Sequence, residues 1–317
     1  MKKRAIIFPG QCSAQPGMGH DFYVESPGAR QVFDKAETAL NIPLRKLCFE
    51  GPAERLACPS VGQAASFTLS WAILEAIRDL IPGFEFAASA GISAGEITAF
   101  SAAGACSFHA GLKIAQGRGS FMQDCAYAQP GQVAVVRVAN YQQGKELAIS
   151  IGLHVSSYLS PTKMGLAGSI ARIATLQRIA EERGIEIQLG NPKLGACHSP
   201  MMLPAQEHMH HLLAGMELQM PSIPVISGMS ARPALRLQEV REALISQLCN
   251  TLRWEESIRY LVSCGVEQFV EIGSGHVLQT LCREICPNVP CISIGTWAEL
   301  QEHLAAGTLA PMESLVR

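Results

Sequence analysis

Charged residues are scarce in this 317-residue chain. Asp, Glu, Lys and Arg make up 16%, the 25 basic and 27 acidic side chains nearly cancel, and the net charge is -2. That balance excludes the chain-wide basic surface expected of a nucleic-acid binder. A local basic patch facing an acidic partner is still compatible with it, because net charge does not fix distribution. With 48% apolar residues, disorder is excluded as well, since disorder needs low hydrophobicity and high net charge. Long apolar runs are also missing. The richest region, 84–108, is mostly Ala, Gly and Ser and contains Glu85 and Glu96, so no stretch of about 18 residues is apolar enough to span a membrane. After Lys2, Lys3 and Arg4 the apolar run stops at Pro9-Gly10, too soon for a signal-peptide core. The expectation is a soluble, cytoplasmic protein. Eleven cysteines are present, yet no CxxC pair occurs, and the four-residue step from Cys282 to Cys286 is not a zinc signature. An odd, scattered set without an export signal predicts reduced thiols buried as small hydrophobes, and no metal.

The length corresponds to about two domains of roughly 150 residues each, or to one large α/β domain. Arg4–Phe8 is a candidate buried strand ended by Pro9-Gly10. Helical spacing runs over 32–40 and 64–80, the second apolar almost all round and therefore a core helix. A strand is predicted over 84–90, followed from Ala94 by a helix of small residues. From Gly131 the rhythm changes: strand 133–138, helix 142–151, extended segments 154–157 and 164–167, amphipathic helix 169–183, strand 185–189. That β-α-β-β-α-β order within about 60 residues is a ferredoxin-like unit. Helices over 204–218, 237–249, 254–264 and from 277, with strands 223–227 and 268–271, complete an alternation that predicts a mainly parallel sheet.

The sharpest local feature is Gly91-Ile92-Ser93-Ala94-Gly95 between a predicted strand and a predicted helix. Flanking glycines permit a tight turn that exposes a serine Oγ, and the helix N-terminus aims an amide at a developing oxyanion. Such a serine needs a base. His198 lies in Cys197-His198-Ser199-Pro200, where the proline stops regular structure and can fix a loop presenting the ring. His208 and His211 share a helix face without a carboxylate or cysteine of suitable spacing, which favours a solvated face over a metal site. His276 after Gly273-Ser274-Gly275 reads as a turn residue.

Five motifs now stand in register: Phe8-Pro9-Gly10-Gln11, Gly91-x-Ser93-x-Gly95-Glu96, Arg118 followed by Met122-Gln123, His198-Ser199-Pro200, and Gln247-Leu248-Cys249-Asn250 before Trp254. Gly51-Pro52-Ala53-Glu54 and Glu271 to Gly275 add to them. In this order and spacing the chain resembles, over essentially its whole length, the malonyl-CoA:acyl carrier protein transacylases, a family that includes the free-standing acyltransferases of polyketide synthases. The resemblance implies that Ser93 forms the acyl-enzyme and that His198 relays the protons. It also implies that the backbone N–H groups of Gln11 and Ala94 form the oxyanion hole, and that a backbone carbonyl, matched here to Asn250, orients the histidine. Arg118 would bind the free malonyl carboxylate through paired hydrogen bonds, with Ile92 and Gln63 also on the substrate side. The substrate would be a CoA thioester with no bound cofactor, the partner an acyl carrier protein, and the enzyme a monomer.

The same comparison implies an α/β fold: a hydrolase-like, mainly parallel sheet domain of residues 1–129 and 195–317, with an inserted ferredoxin-like domain of 130–194 and the site between them. Several positions depart from the family pattern. Ile92 stands where a histidine is usual, Cys12 replaces a glycine after Gln11, Gly195-Ala196-Cys197 precedes His198, and Leu159 takes the place of a frequent asparagine. These changes point to altered acyl selectivity or slower turnover. Two other functions stay open at this level: an acyl-carrier-protein hydrolase that clears stalled acyl groups, against which Arg118 counts, and a catalytically weak carrier-binding member. Lys163, Lys193, Arg118 and Arg172 are the candidates for a basic rim facing the carrier.

Overall fold

The computed structural model describes residues 3–309. Its ten strands are β1 (Arg4–Phe8), β2 (Ala88–Gly91), β3 (Gly131–Arg137), β4 (His154–Ser160), β5 (Lys163–Ser169), β6 (Ile187–Leu189), β7 (Val225–Ile226), β8 (Leu252–Arg253), β9 (Gln268–Ile272) and β10 (Cys291–Ile294). They form two five-stranded sheets.

The first sheet has the order β10-β9-β1-β2-β7 and is parallel throughout. β1 alternates cleanly between its two faces. Ile6 and Phe8 enter the larger core with the helices Pro59–Leu80 and Phe108–Ala128, while Ala5 and Ile7 enter a second core with Trp254, Ile258 and Leu278. The chain runs outward from β1 through β2 to β7, then returns to the other side through β9 and β10. β1 therefore stands where the strand order reverses, the place where open α/β sheets bind ligands beyond the carboxyl ends of their strands. Phe8 is in register with Gly91, so the loops carrying Gln11 and Ser93 leave the sheet side by side.

The second sheet is β6-β3-β5-β4-β8. Its first four strands are antiparallel and, numbered within the segment, lie in the order fourth-first-third-second around a core of Val136, Leu147, Met164, Leu166 and Leu176. This is the ferredoxin-like unit. Sequence patterning did not foresee β8: residues from far along the chain add a fifth, parallel strand, with Leu252 opposite Ser157. A two-residue strand carries no periodic signal of its own.

Element ends moved in physically readable ways. The core helix starts at Pro59 rather than at 64, with the proline in the first turn where a missing N–H costs nothing. The strand expected over 84–90 is shifted to Ala88–Gly91, and that over 223–227 shrinks to Val225–Ile226. The helix expected over 204–218 spans Leu203–Ala214. The helix expected over 237–249 stops at Ser246, a difference with consequences at the site. Among the described residues no helix is long and apolar enough to cross a membrane, and no disulfide joins the described cysteines.

Candidate active site

Between the end of β2 at Gly91 and the helix Gly95–Ala102 the chain makes one sharp turn, and Ser93 at its tip has a left-handed φ of 55°. A non-glycine residue held there marks strain that the surroundings must impose. The two glycines allow it. A Cβ on Gly91 would overlap the backbone of Gly95, and one on Gly95 would overlap the carbonyl oxygen of Phe8. Gly95→Ala is therefore expected to destabilise the fold by about 1–3 kcal/mol, the usual cost of overpacking. Urea unfolding reads this as a lowered midpoint, and an unchanged midpoint would contradict it. Ala94 caps the helix, and Gln11 begins the turn beyond β1. Neither backbone N–H has an acceptor among the described residues, so both can serve a ligand oxygen.

His198 reaches Ser93 from the other side, on a loop where it too has a left-handed φ, of 59°. Its Nε2 lies 2.9 Å from Ser93 Oγ and its Nδ1 2.6 Å from the carbonyl oxygen of Gln247. A carbonyl only accepts, so Nδ1 carries the proton and Nε2 presents its lone pair to the serine hydroxyl. The ring is only 5% exposed. Burial, and next the Arg118 charge, push its pKa down to about 3. The free base is thus present across the neutral and mildly acidic range. The rate of acyl-enzyme formation should stay level as pH falls through 6.5, where an ordinary imidazole is half protonated. A half-loss of rate near 6.5 in a pH profile would contradict this.

The partner of His198 is not the residue expected. Asn250 is exposed and its Nδ2 donates to the carbonyl of Ser246. Because the preceding helix stops at Ser246, the turn that follows presents the carbonyl of Gln247, one helical turn earlier. Downstream, Thr251 Oγ1 donates to the Val155 carbonyl at 2.7 Å and β8 pairs with β4, anchoring this segment to the second sheet.

Arg118 sits in the middle of the helix Phe108–Ala128 and is 0% exposed. Its Nη1 donates to Gln63 Oε1 at 2.8 Å, and its Nη2 to Ser93 Oγ at 3.1 Å and to Gln247 Oε1 at 3.2 Å. Its Nε has no hydrogen-bond partner among the described residues. Burial lowers its pKa to about 10, which leaves it cationic at neutral pH. A buried guanidinium held by neutral oxygens, with no carboxylate in contact among the described residues, is set up to receive an anion beside Ser93. The same burial removes Arg118 from any exposed rim. The other rim candidates have local partners: Lys163 with Glu284, Lys193 with the Glu54 carbonyl, and Arg172 with the Gly152 carbonyl.

Gln63, buried, also donates to Met122 Sδ. Ile92 packs with the apolar cluster that contains Ile7, Ala90 and Trp254, and Leu159 joins the same cluster, so both aliphatic departures extend one apolar wall. The side chain of Cys12 lies outside the described residues. His208 stacks on Phe121, and among the described residues no group of three His, Cys, Asp or Glu side chains is placed to hold a metal. Two participants went unassigned from sequence, Gln247 and Glu96. Both stood within motifs already quoted, Glu96 directly after the serine turn and Gln247 before Asn250. Glu96 is buried, accepts from Gly228 N at 3.0 Å and from Gln247 Nε2 at 2.8 Å, and is pushed by burial up to about 8.

A turn-mounted serine, a neutral histidine oriented by a carbonyl, two open amides and a doubly wound sheet define an α/β enzyme equipped for serine acyl transfer. Comparison narrows the class. Residues 5–310 match the acyl transferase domain model, and the chain belongs to that family. It is 32% identical over 301 residues to the malonyl CoA-acyl carrier protein transacylase of Bacillus subtilis, covering 93% of this chain and 94% of that protein. It is 35% identical over 285 residues to the polyketide biosynthesis protein ThaF of Burkholderia thailandensis, covering 89% of this chain but 24% of that longer protein. Among solved structures, a malonyl-transacylase in complex with a type II polyketide synthase acyl-carrier protein superposes with a TM-score of 0.90 at 26% identity, covering 96% of this chain and 99% of that one.

Proposed function

We propose that this protein moves a malonyl group from CoA to the phosphopantetheine thiol of an acyl carrier protein, through an acyl-enzyme on Ser93. In the first half-reaction the Ser93 proton passes to His198 Nε2 while Oγ attacks the thioester carbonyl carbon. The oxyanion settles on the N–H groups of Gln11 and Ala94, each such donor contributing about 3 kcal/mol to the transition state. Collapse breaks the C–S bond, and His198 returns its proton to the departing CoA sulfur. In the second half-reaction His198 takes the proton of the carrier thiol, sulfur attacks the serine ester, the C–O bond breaks and Ser93 regains its proton. Protons and electrons balance with no bound cofactor. We also propose that the protein acts as a cytoplasmic monomer.

The observation that carries the malonyl reading is Arg118, fully buried, 3.1 Å from the nucleophile and, among the described residues, without a carboxylate in contact. An acyl group ending in methyl offers that cation nothing, whereas a malonyl carboxylate accepts its N–H groups directly beside the serine. Intact-mass analysis after incubation with malonyl-, methylmalonyl- and acetyl-CoA tests it. A dominant malonyl adduct is expected; no adduct with any of the three would overturn the proposal.

A further inference from the structure

Glu96 is fully buried, yet none of the proton transfers above uses it. Its two oxygens each accept from one N–H, Oε1 from Gly228 and Oε2 from the side chain of Gln247. With an N–H donor on each oxygen, the carboxyl is placed as an acceptor; burial raises its pKa, while the Gly228 N–H, the nearby Arg118 charge and the Ser227 hydroxyl favour the carboxylate, which accepts only. Gln247 lies between two groups of opposite character, and a primary amide has two unlike ends. Arg118 can only donate, so the end facing it must be Oε1, and the Nε2 end must then find an acceptor. Glu96 is that acceptor. A donor at position 96 would turn the amide round and set its NH2 against the guanidinium, with donor facing donor.

We infer that Glu96 is a positioning residue for acyl selectivity: through the side chain of Gln247 it keeps an amide oxygen on Arg118 and so holds the guanidinium beside Ser93. The inference deepens the malonyl reading and rests on it. Gln247 serves His198 through its backbone carbonyl and Arg118 through its side chain. Disturbing the amide therefore separates acyl selectivity from the chemistry common to every acyl group.

Glu96→Gln tests this directly. The new amide can keep its oxygen on Gly228 N–H and turn its NH2 toward Gln247. The ratio of malonyl to acetyl loading rates is expected to fall about tenfold or more, as for a lost charge-assisted hydrogen bond. Gln247→Met, which removes both ends of the amide but keeps the backbone carbonyl, should lower the same ratio. The double variant should lower it no further than the larger single effect, because the two residues act in series. An unchanged ratio, equal losses for both acyl groups, or losses that multiply in the double variant would each overturn the inference. Thermal unfolding accompanies every variant. If Glu96→Gln does not fold, the ratio in Gln247→Met decides alone, with selective loss supporting the relay and equal loss overturning it. The wild-type control separates the two levels: wild-type enzyme that takes no malonyl refutes the malonyl reading itself, whereas a malonyl-selective wild type beside an equally selective Glu96→Gln refutes only the relay.

Discussion

Ser93→Ala is expected to abolish the acyl-enzyme, with transfer falling on the order of 10⁶-fold, the scale seen when a serine enzyme loses its nucleophile. The size follows from the geometry. Ser93 Oγ lies 2.9 Å from His198 Nε2 and 3.1 Å from Arg118 Nη2, so the base and the cation converge on it. Alanine keeps the Cβ that already tolerates the left-handed turn, so the fold should persist. Loss of activity would then report chemistry rather than unfolding. Intact mass spectrometry after exposure to malonyl-CoA should find the variant unmodified. A persisting adduct would move the nucleophile elsewhere, with Cys197 beside the base as the first residue to examine.

Arg118→Ala should have the second-largest effect, and one confined by acyl group. Removing one partner of a buried charged pair costs about 3–5 kcal/mol, which at 1.36 kcal/mol per decade is a loss of about 10²- to 10³-fold or more for malonyl loading. Acetyl brings no carboxylate, so its loading should fall far less. Side-by-side kcat/KM values with the two CoA thioesters measure this. Equal losses would make Arg118 a structural residue of its helix and remove the case for malonyl selectivity.

Much of this site was legible because its chemistry is written in side chains. Gly91, Ser93 and Gly95 form a pattern whose spacing has a steric reason, now visible as the missing room for a Cβ at either glycine. His198 was marked by the proline two residues on, and Arg118 by its register in a motif. The histidine's partner was not legible, because a backbone carbonyl has no residue type to recognise. Its position depends on where a helix stops, and Ser246 rather than Cys249 ends that helix. Glu96 stood within the quoted motif, but its role needs Gln247 and Gly228, which lie more than a hundred residues away in sequence. The fold divides in the same way. Strong local periodicity exposed the β-α-β-β-α-β unit, whereas β8 joins that sheet through two residues whose pairing comes only from tertiary position.

A chase experiment separates two-step transfer through Ser93 from hydrolysis. Malonyl-enzyme formed from malonyl-CoA is freed of excess thioester and mixed either with phosphopantetheinylated acyl carrier protein or with buffer, and both proteins are weighed over time. The malonyl mass is expected to leave the enzyme quickly and appear on the carrier when carrier is present, and to leave only slowly in buffer. Release of free malonate at the same rate in both mixtures, with no gain on the carrier, would rule out transfer and identify a hydrolase.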